Sequence, residues 1–244
     1  MSDMTITKRE VLASIVIICV MLLIGTLFSS KISDAVMEKQ QEYSAAVKID
    51  NDHDLFVYCM DTNVGNAFVY GELKAVDPVT YEEIGGEYSY VKKVKERYTR
   101  HTRTVTKTRT VNGKTQTYTT TEVYWTWDEI DRWNKCSTKI DFVGVEFDYG
   151  KIPFPFTSHI KTIKESSRIR YVYSGAPAQC DGTIYAKLSD GDIQNVNMYH
   201  YSDVNEAFEN AMSDWSVGFF WFFWIILTGF AVGGFYYLEN RWLE

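Results

Sequence analysis

Between Lys92 and Lys114 the sequence carries nine basic side chains (Lys92, Lys93, Lys95, Arg97, Arg100, Arg103, Lys107, Arg109 and Lys114) against a single acid, Glu96. The whole chain has a net charge of -7, so this +8 segment leaves -15 on the rest. Cations at such density attract phosphate, sulfate or carboxylate, and an anionic lipid headgroup, a wall polymer or an acidic protein surface would each fit. Arg103, Lys107, Arg109 and Lys114 are the candidate contacts to an anionic partner. The alternative is a solvated segment whose charges only keep a sheet edge from aggregating. No nucleic acid is expected as a partner, because the chain is acidic overall and no binding module is recognisable.

The carboxylates, histidines and thiols point to chemistry less clearly. Asp50, Asp52 and Asp54 stand at i, i+2 and i+4 with Asp61 at position twelve, as in an EF-hand loop, but Leu55 occupies the sixth position, which needs glycine. An acidic turn that ends a helix is the expectation there. Asp128, Glu129 and Asp131 could serve a hydrolase as acid and base only if the fold gathered them in a concave pocket. His53, His101, His159 and His200 are scattered, and Trp125, Trp127 and Trp133 are spaced as packing residues of strands and turns. There is no G-x-G-x-x-G, Walker loop, G-x-S-x-G, H-E-x-x-H or C-x-x-C, so no catalytic residue, cofactor or metal site is expected. Cys59, Cys136 and Cys180 allow at most one internal disulfide with one thiol left over, and Cys19 lies in an apolar run.

Two uncharged runs bracket these residues. Residues 11–30 carry no charge, a length that matches a hydrocarbon core of about 30 Å at 1.5 Å per helical residue. The run is longer than a signal-peptide core and no A-x-A-like pair precedes Lys31, so it reads as an uncleaved span. Residues 215–238 form a second uncharged run, with Trp215, Tyr236, Tyr237 and Trp242 where aromatic belts lie. Gly229 and Gly233 give a G-x-x-x-G spacing and are the candidate helix-packing residues. Lys8 and Arg9 before the first span, with Arg241 after the second, predict short cytoplasmic ends at 1–10 and 239–244 and a domain outside. Which membrane carries it is left open.

Between the spans, residues 31–49 lack Gly and Pro and predict a helical stalk, while Val204, Ala207, Phe208, Ala211, Met212 and Trp215 recur with helical period and predict an amphipathic helix over 202–214 that runs into the second span. The interval 50–201 is rich in Val, Ile, Thr and Tyr, with turn signals at Asp77-Pro78, Gly85-Gly86, Asn112-Gly113, Asp181-Gly182 and Asp190-Gly191. The fold class expected is a mainly-β domain, an antiparallel sheet or small barrel, flanked by two transmembrane helices with helical stalks. Asn112-Gly113 is the favoured two-residue hairpin turn. It sets Thr110, Thr108, Thr106 and Thr104 opposite Thr115, Thr117, Thr119 and Thr121, with Arg103 opposite Glu122 and Arg97 opposite Asp128. A two-stranded ribbon of that length is marginal in water, so part of it should pack on the domain, on lipid or on a partner.

NAFVYGELKAVDPV at 66–79, the Tyr-rich EYSYVKKVKERYTR with the later YWTW, and CDGTIYAKLSDGDI followed by MYHYSDVNEAFENAM together resemble the beside-a-membrane domain of GIDE-type membrane proteins, and more loosely LUMA, a nuclear-envelope protein with a large lumenal domain. GIDE-type ubiquitin ligases carry a zinc-binding RING after the second span. Only six residues follow Leu238 here, so neither a RING nor ligase activity is expected. The resemblance implies a scaffold or sensor domain held against the membrane. The function expected is therefore a non-enzymatic, membrane-anchored binding protein that engages an anionic surface, a protein partner or a second copy of itself. Two alternatives stand beside it, an envelope-modifying hydrolase and a small oligomeric pore, the latter disfavoured by the lack of charge in either span.

Overall fold

The computed structural model describes residues 7–111 and 114–242, so the Asn112-Gly113 turn lies outside the described residues. The chain divides into two units, one made by the chain up to Ala46 and from Asn205 onward, the other by Val47–Val204.

The first unit is helical. Helix α1 (Lys8–Ala45) opens on a capping box, in which Glu10 N–H donates to the Thr7 hydroxyl and the Glu10 carboxylate accepts from Thr7 N–H at 2.7 Å. The hydroxyls of Ser14, Thr26 and Ser30 donate to the carbonyls of Val11, Leu23 and Leu27, so these three find their acceptors inside the helix. Helix α3 (Val204–Met212) follows the second unit, and α4 (Ser216–Trp242) carries the second apolar run. Both α1 and the C-terminal helical stretch are long and apolar enough to cross a membrane. They pack antiparallel: Trp224 Nε1 donates to Met21 O at 2.9 Å, Trp221 Nε1 to Ser29 Oγ at 3.1 Å, and Tyr236 OH to Ser14 Oγ at 3.3 Å.

Two expectations change here. The stalk helix ends at Ala45 rather than at 49, because Val47–Asp50 joins a sheet. The amphipathic helix does not run unbroken into the second span, since residues 213–215 leave the helix and the Asp214 carboxylate accepts from Ser216 N–H at the head of α4.

Among the described residues the second unit has ten strands and one helix. Strand β1 (Val47–Asp50) leads into α2 (His53–Asp61), which is N-capped by Asp52, whose carboxylate accepts from Leu55 N–H. The acidic run therefore starts a helix instead of ending one. The other strands are β2 (Gly65–Ala75), β3 (Tyr88–Val111), β4 (Lys114–Cys136), β5 (Lys139–Phe142), β6 (Val145–Asp148), β7 (Ser158–Ser166), β8 (Ile169–Pro177), β9 (Gln179–Ser189) and β10 (Asp192–His200). One sheet runs β10-β9-β2-β5-β6, the other β4-β3-β8-β7. All pairings are antiparallel except β1, which lies parallel along β2 from Ala67 to Tyr70.

The two sheets share a corner. The chain passes from β4 to β5 and from β8 to β9 with two residues and one residue between them, so the same two segments flank β3 in one sheet and β2 in the other. The result is a half-barrel rather than a closed one. Asp77 fastens the corner: its carboxylate accepts from Ser137 Oγ, from Thr138 N–H at 2.8 Å and Oγ1 at 2.9 Å, and from Lys139 N–H at 3.2 Å. Under the bend, Phe56, Cys59 and Met60 of α2 are buried with Val69, Leu73, Ile140, Phe142, Ile184 and Leu188. Val143 and Gly144 make the β5–β6 turn at φ 52° and 76°. A valine there is strained, and the strain is offset by burial of its side chain over Gly71, where a Cβ would come within 2.4 Å of Val143 Cγ2.

Candidate functional site

Strands β3 and β4 pair from Tyr90 opposite Cys136 to Val111 opposite Lys114. The register is the expected one, with four Thr pairs from 104/121 to 110/115, Arg103 opposite Glu122 and Arg97 opposite Asp128. Strand β8 backs β3 only as far as Arg97 opposite Ile169. Beyond that point the two strands form a free ribbon, about 14 residue pairs and so on the order of 45 Å long.

Alternation sorts the ribbon into two unlike faces. One carries Arg97, Arg103, Lys107, Arg109 and Lys114, so the four candidate contacts are together on one side. Tyr118 and Tyr124 lie among them, with the Arg109 guanidinium 5.6 Å from the Tyr118 ring and that of Arg103 5.8 Å from Tyr124. Glu122 is shared, 2.7 Å from Lys107 and 3.1 Å from Arg103. Hydrogen bonds from these two cations hold the Glu122 carboxyl below its ordinary pKa, and Glu122 in turn raises that of Lys107. Among the described ion pairs no carboxylate offsets Arg109 or Lys114. The opposite face is the threonine ladder, exposed throughout.

At the root of the ribbon Lys93, Lys95 and Arg170 already hold acids. Lys93 Nζ lies 2.7 Å from Glu83 and within 4.9–6.0 Å of the Tyr171, Tyr81, Tyr173 and Trp133 rings. Burial works against the Lys93 charge, but the hydrogen bonds to Glu83 and Tyr173 outweigh it and leave its pKa raised. Lys95 pairs with Glu165 and lies 5.2 Å from the Tyr171 ring. On the other side, Tyr98 stacks on Trp125 at 5.2 Å, Arg168 lies over Trp125 and Arg170 over Trp127 at 4.2 Å, with Glu96 bound to Arg170 at 2.6 Å. The three tryptophans thus cover the base of the ribbon. Tyr81, Tyr171, Tyr173, Arg168 and Arg170 were not evident as partners in the sequence. The one signal for the last four is the alternation of Arg and Tyr along residues 168–173.

The acids weighed as a catalytic group are not gathered. Asp128 faces the basic side, where the Thr126 hydroxyl and His101 at 2.6 Å hold its pKa down; Glu129 turns to the other side and pairs with Arg132. Asp131 accepts from Arg132 N–H. The thiols are free, and burial pushes Cys180 up to about 11 and raises Cys59. A Cβ on Gly229 or Gly233 would meet nothing within 4 Å, whereas one on Gly25 would come within 2.5 Å of the Trp224 indole. The close approach of α1 and α4 therefore runs through Gly25. No family model matches the chain, and no curated protein or solved structure matches it either.

Proposed function

We propose that this chain is a membrane-anchored, non-enzymatic binding protein whose β-ribbon docks through its basic face on an anionic surface. The observation that carries the reading is the convergence of Arg103, Lys107, Arg109 and Lys114 on one face, two of them without a carboxylate partner among the described residues. At the ribbon root, by contrast, Lys93, Lys95 and Arg170 each hold an acid. The charge of Arg109 and Lys114, left without a carboxylate on the distal ribbon, is what an external anion would neutralise. The two apolar helices supply the anchor, and their antiparallel pairing supports two crossings with both ends on the cytoplasmic side and the β-rich domain outside. The resemblance to beside-a-membrane domains agrees with such a role.

The test uses the full-length protein reconstituted in neutral nanodiscs, offered phosphatidylcholine vesicles with and without phosphatidylglycerol. Each basic side chain near such a surface contributes about 1 kcal/mol, so the Arg103→Glu, Lys107→Glu, Arg109→Glu, Lys114→Glu variant should bind the anionic vesicles about a thousandfold more weakly. Wild-type binding should also fall with added salt. Soluble polyphosphate competing away the vesicles would assign the site to the anion itself rather than to the bilayer. Equal binding by wild type and variant would overturn the reading.

A further inference from the structure

The distal ribbon has two open edges, and they differ in what they can accept. Strand β4 is the outer strand of its sheet along its whole length, while β3 is open only beyond Arg97, where β8 stops. An unpaired edge presents a row of N–H and C=O groups to any strand that can align with it. Along β4 the row is regular from Lys114 to Glu129. It contains no proline, and its first irregularity is the bulge that leaves Ile130 without an opposite residue between the 95/131 and 96/129 pairs.

Side-chain charge separates the edges further. Between Arg97 and Val111 strand β3 has Arg97, Arg100, Arg103, Lys107 and Arg109 and no acid, so an antiparallel pairing of this edge with its own copy sets like charges against each other. The β4 edge has one base, Lys114, and two acids on the same face, Glu122 and Asp128. A two-fold axis at Thr121 brings Lys114 opposite Asp128 of the second copy, Tyr118 opposite Tyr124, and Thr120 opposite Glu122. On the threonine side it brings Thr117 and Thr115 opposite Trp125 and Trp127. Moving the axis one residue toward Glu122 opposes two glutamates. Moving it to Tyr118 leaves only residues 114–122 paired instead of 114–128.

We propose that two copies of this chain associate through their β4 edges, antiparallel about an axis at Thr121, to make a four-stranded ribbon β3-β4-β4-β3. Opposite charges, an aromatic pair and backbone hydrogen bonds are all satisfied twice by the symmetry. The pairing also gives a two-stranded ribbon, marginal in water by itself, the further strands that such ribbons require. Each copy contributes its basic face to the same side of the enlarged sheet. The association does not rest on what that face binds; it gives Lys114 a carboxylate from the second copy and leaves Arg109 without one.

The experiment is disulfide trapping of the full-length protein in its membrane, in a Cys19→Ser, Cys136→Ser background that removes the exposed thiols. Only a residue on the axis meets its own copy, so Thr121→Cys should form a disulfide-linked dimer on mild oxidation. Thr117→Cys, whose copies would stand about 27 Å apart, should form at least about tenfold less. Lys114→Glu should lower the yield at 121, and adding Asp128→Lys should restore it. Three outcomes would each overturn the proposal: a monomer by native mass measurement with no trapping at 121, trapping at Tyr118→Cys in preference to 121, or open filaments, which would mean that β3 of one copy pairs with β4 of the next.

Discussion

Four donors converge on the Asp77 carboxylate from some sixty residues away, an arrangement that only the fold provides. The hydrogen bond from the Ser137 hydroxyl, followed by that from Thr138 N–H, holds the Asp77 carboxyl well below the ordinary carboxylate range. A folded pKa depressed below the unfolded one contributes stability that is fully present above the unfolded value of about 4, and that is lost as pH falls from there through the folded value. Asp77→Asn keeps the size but replaces one accepting oxygen with a donor and removes the charge. The variant should therefore unfold at lower urea than wild type at pH 7, and the gap between the two midpoints should narrow at pH 3. A gap that stays the same at both pH values would mean that shape at the corner matters and charge does not. Such a clamp lies outside what composition reveals: Asp77-Pro78 reads as a turn, and the partners at 137–139 are some sixty residues away.

At the scale of elements, α2 seals the half-barrel with one aromatic side chain. Phe56 is fully buried, edge-on to Phe142 at 6.1 Å and to Phe147 at 6.5 Å. Phe56→Ala leaves a cavity between helix and sheet and should cost about 3–5 kcal/mol, read as a lower denaturation midpoint of the β-rich unit. A loss under about 1 kcal/mol would mean that α2 is not part of the cooperative core. The same element shows where sequence reading stopped. Asp52 is an N-cap and Phe56, Cys59 and Met60 follow at helical spacing, but the surrounding aspartates resemble a metal loop closely enough to mask the pattern. Strand β1 was hidden because Val47–Asp50 continues from α1 without a breaker, and β7 because its register slips at two points and spoils the alternation that marks a strand. The ribbon, by contrast, was legible residue by residue. A two-residue turn fixes the register, and period-two alternation then determines the face of every side chain as far as the bulge at Ile130. That is why Arg103, Lys107, Arg109 and Lys114 group from the sequence, while Tyr171 and Tyr173 of β8 and Arg168 of the turn before it, some seventy residues on, do not.

For the whole molecule, two lysine sets together report the side on which the β-rich unit lies if the two apolar helices cross a membrane. Lys107 and Lys114 are exposed on the distal ribbon, and Lys8 is exposed at the start of α1. With both ends in the cytoplasm, a membrane-impermeant amine reagent applied to intact cells should label Lys107 and Lys114 and leave Lys8 unmodified until lysis. The reverse pattern would turn the protein over and place the proposed anionic partner in the cytoplasm, where the lipid surface is itself negative. Labelling of all three only after lysis would assign the protein to an internal membrane with both ends and domain shielded by the cell envelope, and the same reagent on isolated organelles would then decide the side. The charge balance gives the result its weight. Residues 92–114 carry +8 within a chain of net charge -7, so if the basic face binds an anion as proposed, the side on which Lys107 and Lys114 are labelled is the side that holds it.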